Sequence, residues 1–197
     1  MDLDTGDLLL FSNNDGWFTQ LIRYGTHSDY THVAMILKDP EFIHPTLKGT
    51  YVWESSWEGL PDPQDGKIKL GVQITPLQEI INSYQDKNIF VRKLIKPKDK
   101  MSASILGDIH QVVYDRPYDV VPTDWIEALV GKDNMPQKTD RFWCSALVGY
   151  IYTRCGVLDS ETDWSLLSPN DFSLTSDTLH FISNCALEPS ECSLKSM

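Results

Sequence analysis

Apolar residues fall into short runs separated by turn-forming clusters, and the runs differ in period. Leu8 to Phe11 is apolar throughout and lies between Asp4-Thr5-Gly6-Asp7 and Ser12-Asn13-Asn14-Asp15-Gly16, the pattern of a short buried strand. The next segment, residues 17–24, has Trp17, Leu21, Ile22 and Tyr24 at helical spacing and stops at Gly25-Thr26-His27-Ser28-Asp29. Thr31 to Leu37 is apolar on both faces, which predicts a central strand covered on each side. A loop from Lys38 to Gly49 then leads to a second strand, Thr50 to Ser56, so the two form a hairpin. If Leu37 pairs with Gly49, His32 falls opposite Glu54 with both side chains on one face, about 5 Å apart at Cβ.

The pattern continues with a surface loop over Gly59 to Gly71, a strand over Gly71 to Ile74, and a helix from Pro76-Leu77 to Tyr84 with proline in its first turn. A strand over Asn88 to Leu94 follows. Residues 99–114 read as a helix presenting Ile105, Ile109, Val112 and Val113 on one side, with Asp99 or Ser102 as the cap; Tyr114 to Trp125 contains Pro117 and Pro122 and is irregular. Cys144, Leu147, Val148, Ile151, Tyr152 and Cys155 form an apolar stripe at i, i+3, i+4 spacing, predicting a helix capped at Thr139-Asp140 and stopped by Gly156. Ser168-Pro169-Asn170-Asp171-Phe172 starts a last short helix. From Asn184 the chain is polar and aperiodic, so loose packing or disorder is expected there. The whole reads as an α+β protein: one domain over residues 1–183 and a polar tail over 184–197.

Composition narrows the function. With 197 residues, 41% hydrophobic and 11% aromatic, the chain can bury one substantial core. A formal net charge of -11 disfavours a grip on nucleic-acid backbones. The basic cluster Arg92, Lys93, Lys96, Lys98 and Lys100 around Pro97 reads as a solvated connection. The four cysteines form no C-x-x-C pair and no N-x-[ST] acceptor occurs, which favours a reducing, cytoplasmic setting. No segment approaches the ~18 apolar residues of a membrane helix. No Walker loop, G-x-S-x-G elbow or dinucleotide fingerprint is present. His27, Asp29 and His32 lack an H-E-x-x-H or cysteine-pair context, so no metal or other cofactor is expected.

A thiol near a helix N-terminus feels the positive end of the macrodipole, which favours its nucleophilic thiolate and singles out Cys144. On spacing alone Cys144 reads first as a buried, inert core residue of its stripe. His32 reads either as a satisfied core histidine at a strand start or as the base that takes a proton from such a thiol, and Glu54 opposite it favours the second, as a carboxylate able to fix its tautomer and stabilise its imidazolium. Glu54 lies in Trp53-Glu54-Ser55-Ser56-Trp57, a partly shielded setting, with Glu58 as an alternative acid.

The order of these pieces resembles the permuted NlpC/P60 proteins, in particular the YiiX-like and poxvirus branch of papain-like thiol hydrolases, of viral or bacterial type. The resemblance rests on Gly6-Asp7-Leu8-Leu9-Leu10-Phe11, Thr31-His32-Val33-Ala34-Met35, Trp53-Glu54-Ser55, Tyr118-Asp119 and Cys144-Ser145-Ala146-Leu147-Val148, and spans about residues 4–175. It implies a circularly permuted papain-like fold, an antiparallel sheet packed against helices including the nucleophile helix. It implies Cys144 as nucleophile, His32 as base and Glu54 as the orienting acid, with Trp53, Tyr118, Asp119, Trp143 and Ser145 about the substrate. Ala146 departs from the related bacterial motif, which carries glutamate there. The expected activity is cleavage of a peptide, isopeptide or ester bond through an acyl-enzyme. The rival readings are a lipid acyl hydrolase or acyltransferase, suggested by Trp53, Trp57, Phe142 and Trp143, and a non-catalytic binding module for a protein or peptide.

Overall fold

The computed structural model describes residues 2–12, 30–84, 88–119 and 138–194. Its centre is a six-stranded antiparallel sheet of β1 (Leu8–Ser12), β2 (His32–Lys38), β3 (Thr50–Ser56), β4 (Gly71–Pro76), β5 (Asn88–Arg92) and β8 (Cys192–Ser193), in the order β4-β3-β2-β1-β5-β8. A two-stranded ladder pairs β6 (Leu94–Ile95) with β7 (Ala186–Leu187). The helices are α1 (Leu77–Ser83), α2 (Ala103–Val113) and α3 (Cys144–Arg154), with 3-10 turns at Trp164–Leu166 and Pro169–Phe172. The fold is thus mixed α+β around an antiparallel sheet. Among the described residues no helix is long and apolar enough to cross a membrane. The helix expected over residues 17–24 lies outside the described residues.

Alternation along the strands divides the core in two. Leu8, Leu10, Val33, Met35, Trp53 and Ile74 point to one face, where they pack with α2, α3 and the 3-10 turns; Leu9, Phe11, Ala34, Ile36 and Val52 point to the other, covered by Leu77 and Ile80 of α1. This two-sided burial is why β2 reads as apolar throughout, and its neighbours β1 and β3 confirm its interior position.

The register of the hairpin differs from the expected one by two residues. Met35 pairs with Trp53 and Leu37 with Tyr51, while Asp39 is the residue that meets Gly49, its N–H donating to the Gly49 carbonyl at 2.7 Å and its carboxylate accepting the Gly49 N–H at 2.7 Å. Because a two-residue shift preserves the side-chain alternation, His32 and Glu54 still share a face. They are diagonal neighbours rather than directly opposite.

Other boundaries also change. The Asn88–Leu94 strand divides at Lys93, whose carbonyl accepts the Glu188 N–H. Pro76 is the N-cap of α1 and not its first helical residue, whereas Ser102 caps α2 as expected, its hydroxyl accepting from the Ile105 N–H. Thr139 and Asp140 do not cap α3: the cap is Trp143 in extended conformation, with no side-chain cap bond. Nor is α3 amphipathic. Every residue from Cys144 to Tyr152 is buried, because the sheet and α2 cover one side and the Trp164–Leu167 turn covers another.

The segment expected to be a loose tail is packed. β7 and β8 extend the two ladders, Cys185, Leu187 and Leu194 are buried, and the Tyr30 hydroxyl donates to Glu191 at 2.5 Å. Short sequences of low periodicity acquire order here from backbone pairing with strands already in place. The basic cluster is likewise structural in part: Arg92 donates to the carbonyls of Phe172, Ser173 and Glu188, Lys93 to that of Asp2, and Lys96 pairs with Asp4.

Candidate active site

The ladder between β2 and β3 runs from Lys38↔Thr50 to Met35↔Trp53 and ends there, although both strands continue. β2 stays paired with β1 down to Phe11↔His32. The start of α3 takes up the groups released on the open side. Val33 donates its backbone N–H to the Cys144 sulfur, and the Ser55 hydroxyl donates to the Phe142 carbonyl at 2.6 Å. The thiol thus meets the sheet where the hairpin ladder has ended, through one backbone N–H of β2, with one hydroxyl of β3 holding the residue two before it.

His32 stands at the beginning of β2, 16% exposed at its side chain, and its Nε2 lies 2.8 Å from Glu54 Oε2. The ring interacts with the Cys144 thiol as well, each group stabilising the charged form of the other. Glu54 is fully buried and accepts a second bond from the Thr75 hydroxyl at 3.2 Å. Phe11 packs its ring 5.0 Å from the imidazole, limiting its rotation from the β1 side.

Burial alone would push the His32 pKa down, but the Cys144 thiolate and the Glu54 carboxylate hold it well above the usual histidine value. Burial would push the Cys144 thiol up; the imidazolium and the N–H groups of Val33 and Ser145 pull it below the ordinary thiol value. Both shifts favour one state, a thiolate beside an imidazolium. Each charge stabilises the other and buried donors solvate the sulfur.

Tyr118 and Asp119 reach the same corner through an irregular strand. Tyr118 bridges Phe142 in parallel, Asp119 donates its N–H to the Phe142 carbonyl at 3.2 Å, and Tyr118 donates its own to Leu70. The Tyr118 hydroxyl is pushed well above the usual phenol value by burial and by the negative charges of Cys144 and Asp119, so it stays protonated. Trp143 donates its indole N–H to the Leu167 carbonyl at 3.2 Å, and Ser145 donates its hydroxyl to the same oxygen at 2.6 Å. Trp53 lies on the opposite face of β3 from Glu54, 1% exposed, with Phe42 against its ring, and has no surface left for a substrate.

Thr75 has no part in the sequence motifs, and Phe11 and Ser55 stand in them without a role of their own. Gln73 and Thr75 carried a signal: they are polar positions alternating with Val72 and Ile74, and both are buried on the Glu54 side of the sheet. Among the described residues no group of three or more histidine, cysteine or acidic side chains is arranged to hold a metal ion. His27 and Asp29 lie outside them.

No protein-family model matches the chain, and no curated protein matches it. Among solved structures, that of the metalloprotein YiiX from Escherichia coli O157:H7 is similar, with 20% sequence identity and a TM-score of 0.46, over 82% of this chain and 77% of that one.

Proposed function

We propose that the chain is a cysteine-dependent hydrolase that cleaves an amide or ester bond through an acyl-enzyme on Cys144, with a permuted NlpC/P60-like arrangement of its parts. The observation that carries this reading is the continuous contact from Cys144 through His32 to Glu54, backed by Thr75.

In the acylation step the Cys144 thiolate attacks the substrate carbonyl carbon, forming a C–S bond and placing the carbonyl electron pair on oxygen. The protonated Tyr118 hydroxyl and the backbone N–H groups at the start of α3 are the proposed donors to that oxyanion. Collapse expels the amine or alcohol, which takes the proton from His32. In deacylation neutral His32 accepts a proton from water, hydroxide attacks the thioester, and the thiolate leaves beside the re-formed imidazolium. Glu54 holds the ring throughout and offsets its positive charge.

The exposed rim favours an apolar acyl group over a charged one. Trp57 is 61% exposed and Leu70 51% exposed, at positions facing each other where the β3–β4 ladder would continue past Ser56↔Gly71, and Leu70 accepts the Tyr118 N–H. Incubation with phosphatidylcholine vesicles and, separately, with a peptide thioester, followed by intact-mass measurement, tests the reading. An acyl increment on Cys144 from either substrate supports it, and the productive one tells lipid from peptide; no increment from either, in protein whose Cys144 still reacts with iodoacetamide, overturns hydrolysis in favour of a binding module.

A further inference from the structure

A second carboxyl group stands beside the triad. Glu58 follows β3 by two residues, is half-buried, and accepts from the Tyr84 hydroxyl at 3.3 Å and from the Ser56 hydroxyl. Ser56 in turn receives Gln73 Nε2 at 2.9 Å. Gln73 is 1% exposed and pairs with Glu54 across the β3–β4 ladder, two residues before Thr75, the donor to Glu54 itself. Strand β4 therefore supports two carboxyl groups from consecutive positions on one face: Thr75 reaches Glu54 directly, and Gln73 reaches Glu58 through Ser56. Phe11 closes the arrangement, its ring 5.0 Å from His32 and 5.1 Å from Tyr84.

So much supporting structure exceeds what an exposed loop acid requires. We infer that Glu58 is a second positioning residue for His32, held by Tyr84 and the Gln73–Ser56 relay so that its carboxylate adds to that of Glu54 in keeping the imidazolium charged. This rests on the thiol-hydrolase reading for its purpose, though not for its test. Continued past its last rung, the β2–β3 register sets His32 across from Ser56, so Glu58 comes two positions after that point as Glu54 comes two before it; the charged and phenolic groups whose fields act on Glu58 are Glu54 of β3, His32 of β2 and Tyr84 after α1. Burial and the Glu54 charge push the Glu58 pKa above the ordinary carboxylate value, against the pull of His32 and the two hydroxyls. The sign follows: below that raised pKa Glu58 is neutral and only Glu54 opposes the His32 charge; above it both do. The second carboxylate thus strengthens the thiolate–imidazolium pair as pH rises toward neutrality.

The test is an NMR titration of the His32 ring in the full chain, with no substrate, comparing wild type with Glu58→Gln. The expected result is that His32 in Glu58→Gln loses its proton at least about half a pH unit lower, since removing one nearby opposite charge weakens the charged form. Glu58→Asp restores part of the shift. A His32 titration unchanged within error, in a variant with an unchanged melting temperature, overturns the inference. If Glu58→Gln does not fold, Tyr84→Phe serves: loss of the donor moves the Glu58 carboxyl titration, followed by carbon-13 NMR, to higher pH, and the associated inflection in the His32 signal moves with it. An inflection that stays in place overturns the inference. Because neither readout needs turnover, failure of the hydrolase reading appears separately, as the absence of acylation.

Discussion

Val33 and Cys144 meet through the strand's backbone N–H and the helix's sulfur, at the point where β2 ceases to pair with β3. Had the hairpin ladder continued past Met35↔Trp53, Val33 and Ser55 would have faced each other and that edge would have offered the sulfur no donor. The thiolate owes its solvation to an interrupted hairpin, and a fold that simply buried Cys144 in an apolar stripe would have left it an inert thiol, as Cys155 is, pushed by burial to about 12.

Replacing Cys144 by Ala removes the proposed nucleophile and leaves a slightly smaller apolar residue at the helix start. Loss of the activated nucleophile is expected to lower kcat by at least about 10³-fold. Labelling by an activity-directed thiol probe, read by intact mass, should fall to zero; labelling at unchanged stoichiometry would place the reactive cysteine elsewhere.

The two pKa shifts define a pH window. The thiolate exists above the lowered Cys144 pKa and disappears as pH falls through it; the imidazolium exists below the raised His32 pKa and disappears as pH rises through it. The proposed mechanism needs both, so the pH profile of turnover is expected to be bell-shaped between the two. In His32→Ala the thiolate loses its partner charge, and iodoacetamide alkylation of Cys144 at pH 6 should slow by about tenfold or more, one pKa unit being a factor of ten. Equal rates in the two proteins at that pH would refute the ion pair.

Ser55→Ala deletes the hydroxyl that holds the Phe142 carbonyl, which keeps its bond from the Asp119 N–H. The expected loss is about 1 kcal/mol, or about 2–4 °C in Tm for a chain of this size. Cys144 alkylation should also slow, because the residues anchoring the sulfur are no longer tied to β3. A lowered Tm with unaltered alkylation would mean that the tie is purely structural.

Gly71 adopts φ 147°, and a Cβ there would lie 2.2 Å from the Arg116 carbonyl and 2.8 Å from Pro117 Cα. Those are backbone atoms of the segment that carries Tyr118, so they yield only if that segment moves. Gly71→Ala is expected to cost at least about 2 kcal/mol from overpacking and backbone strain combined, seen as a reduced urea midpoint, and to lower kcat through displacement of Tyr118. Tyr118→Phe should reproduce the kcat loss without the loss of stability.

Ending the chain after Asn184 removes β7 and β8, with the pairing they give β6 and β5 and the bond between Glu191 and Tyr30. Since Tyr30 precedes the His32 strand by two residues, truncation should lower Tm by several degrees and slow Cys144 alkylation together. Full stability in the shortened protein would show that the tail contributes nothing.

Local pattern was enough for the strands from Leu8 to Ser56, the α2 cap at Ser102, the stop of α3 at Gly156, and the parity that sets His32 and Glu54 on one face. Each of these follows from local spacing, backbone preference or the two-residue period of a strand, and parity survives even a register shifted by two. The register itself came from the folded chain, because it depends on how Asp39 and Gly49 close their loop. The folded chain also decided the order of the tail, which comes from pairing with distant strands, and the all-round burial of α3, which comes from the turn at Trp164. The fate of Cys144 belongs with these: the state of its thiol depends on His32, more than a hundred residues away, and on the Val33 N–H, which meets it where β2 is paired with β1 but no longer with β3.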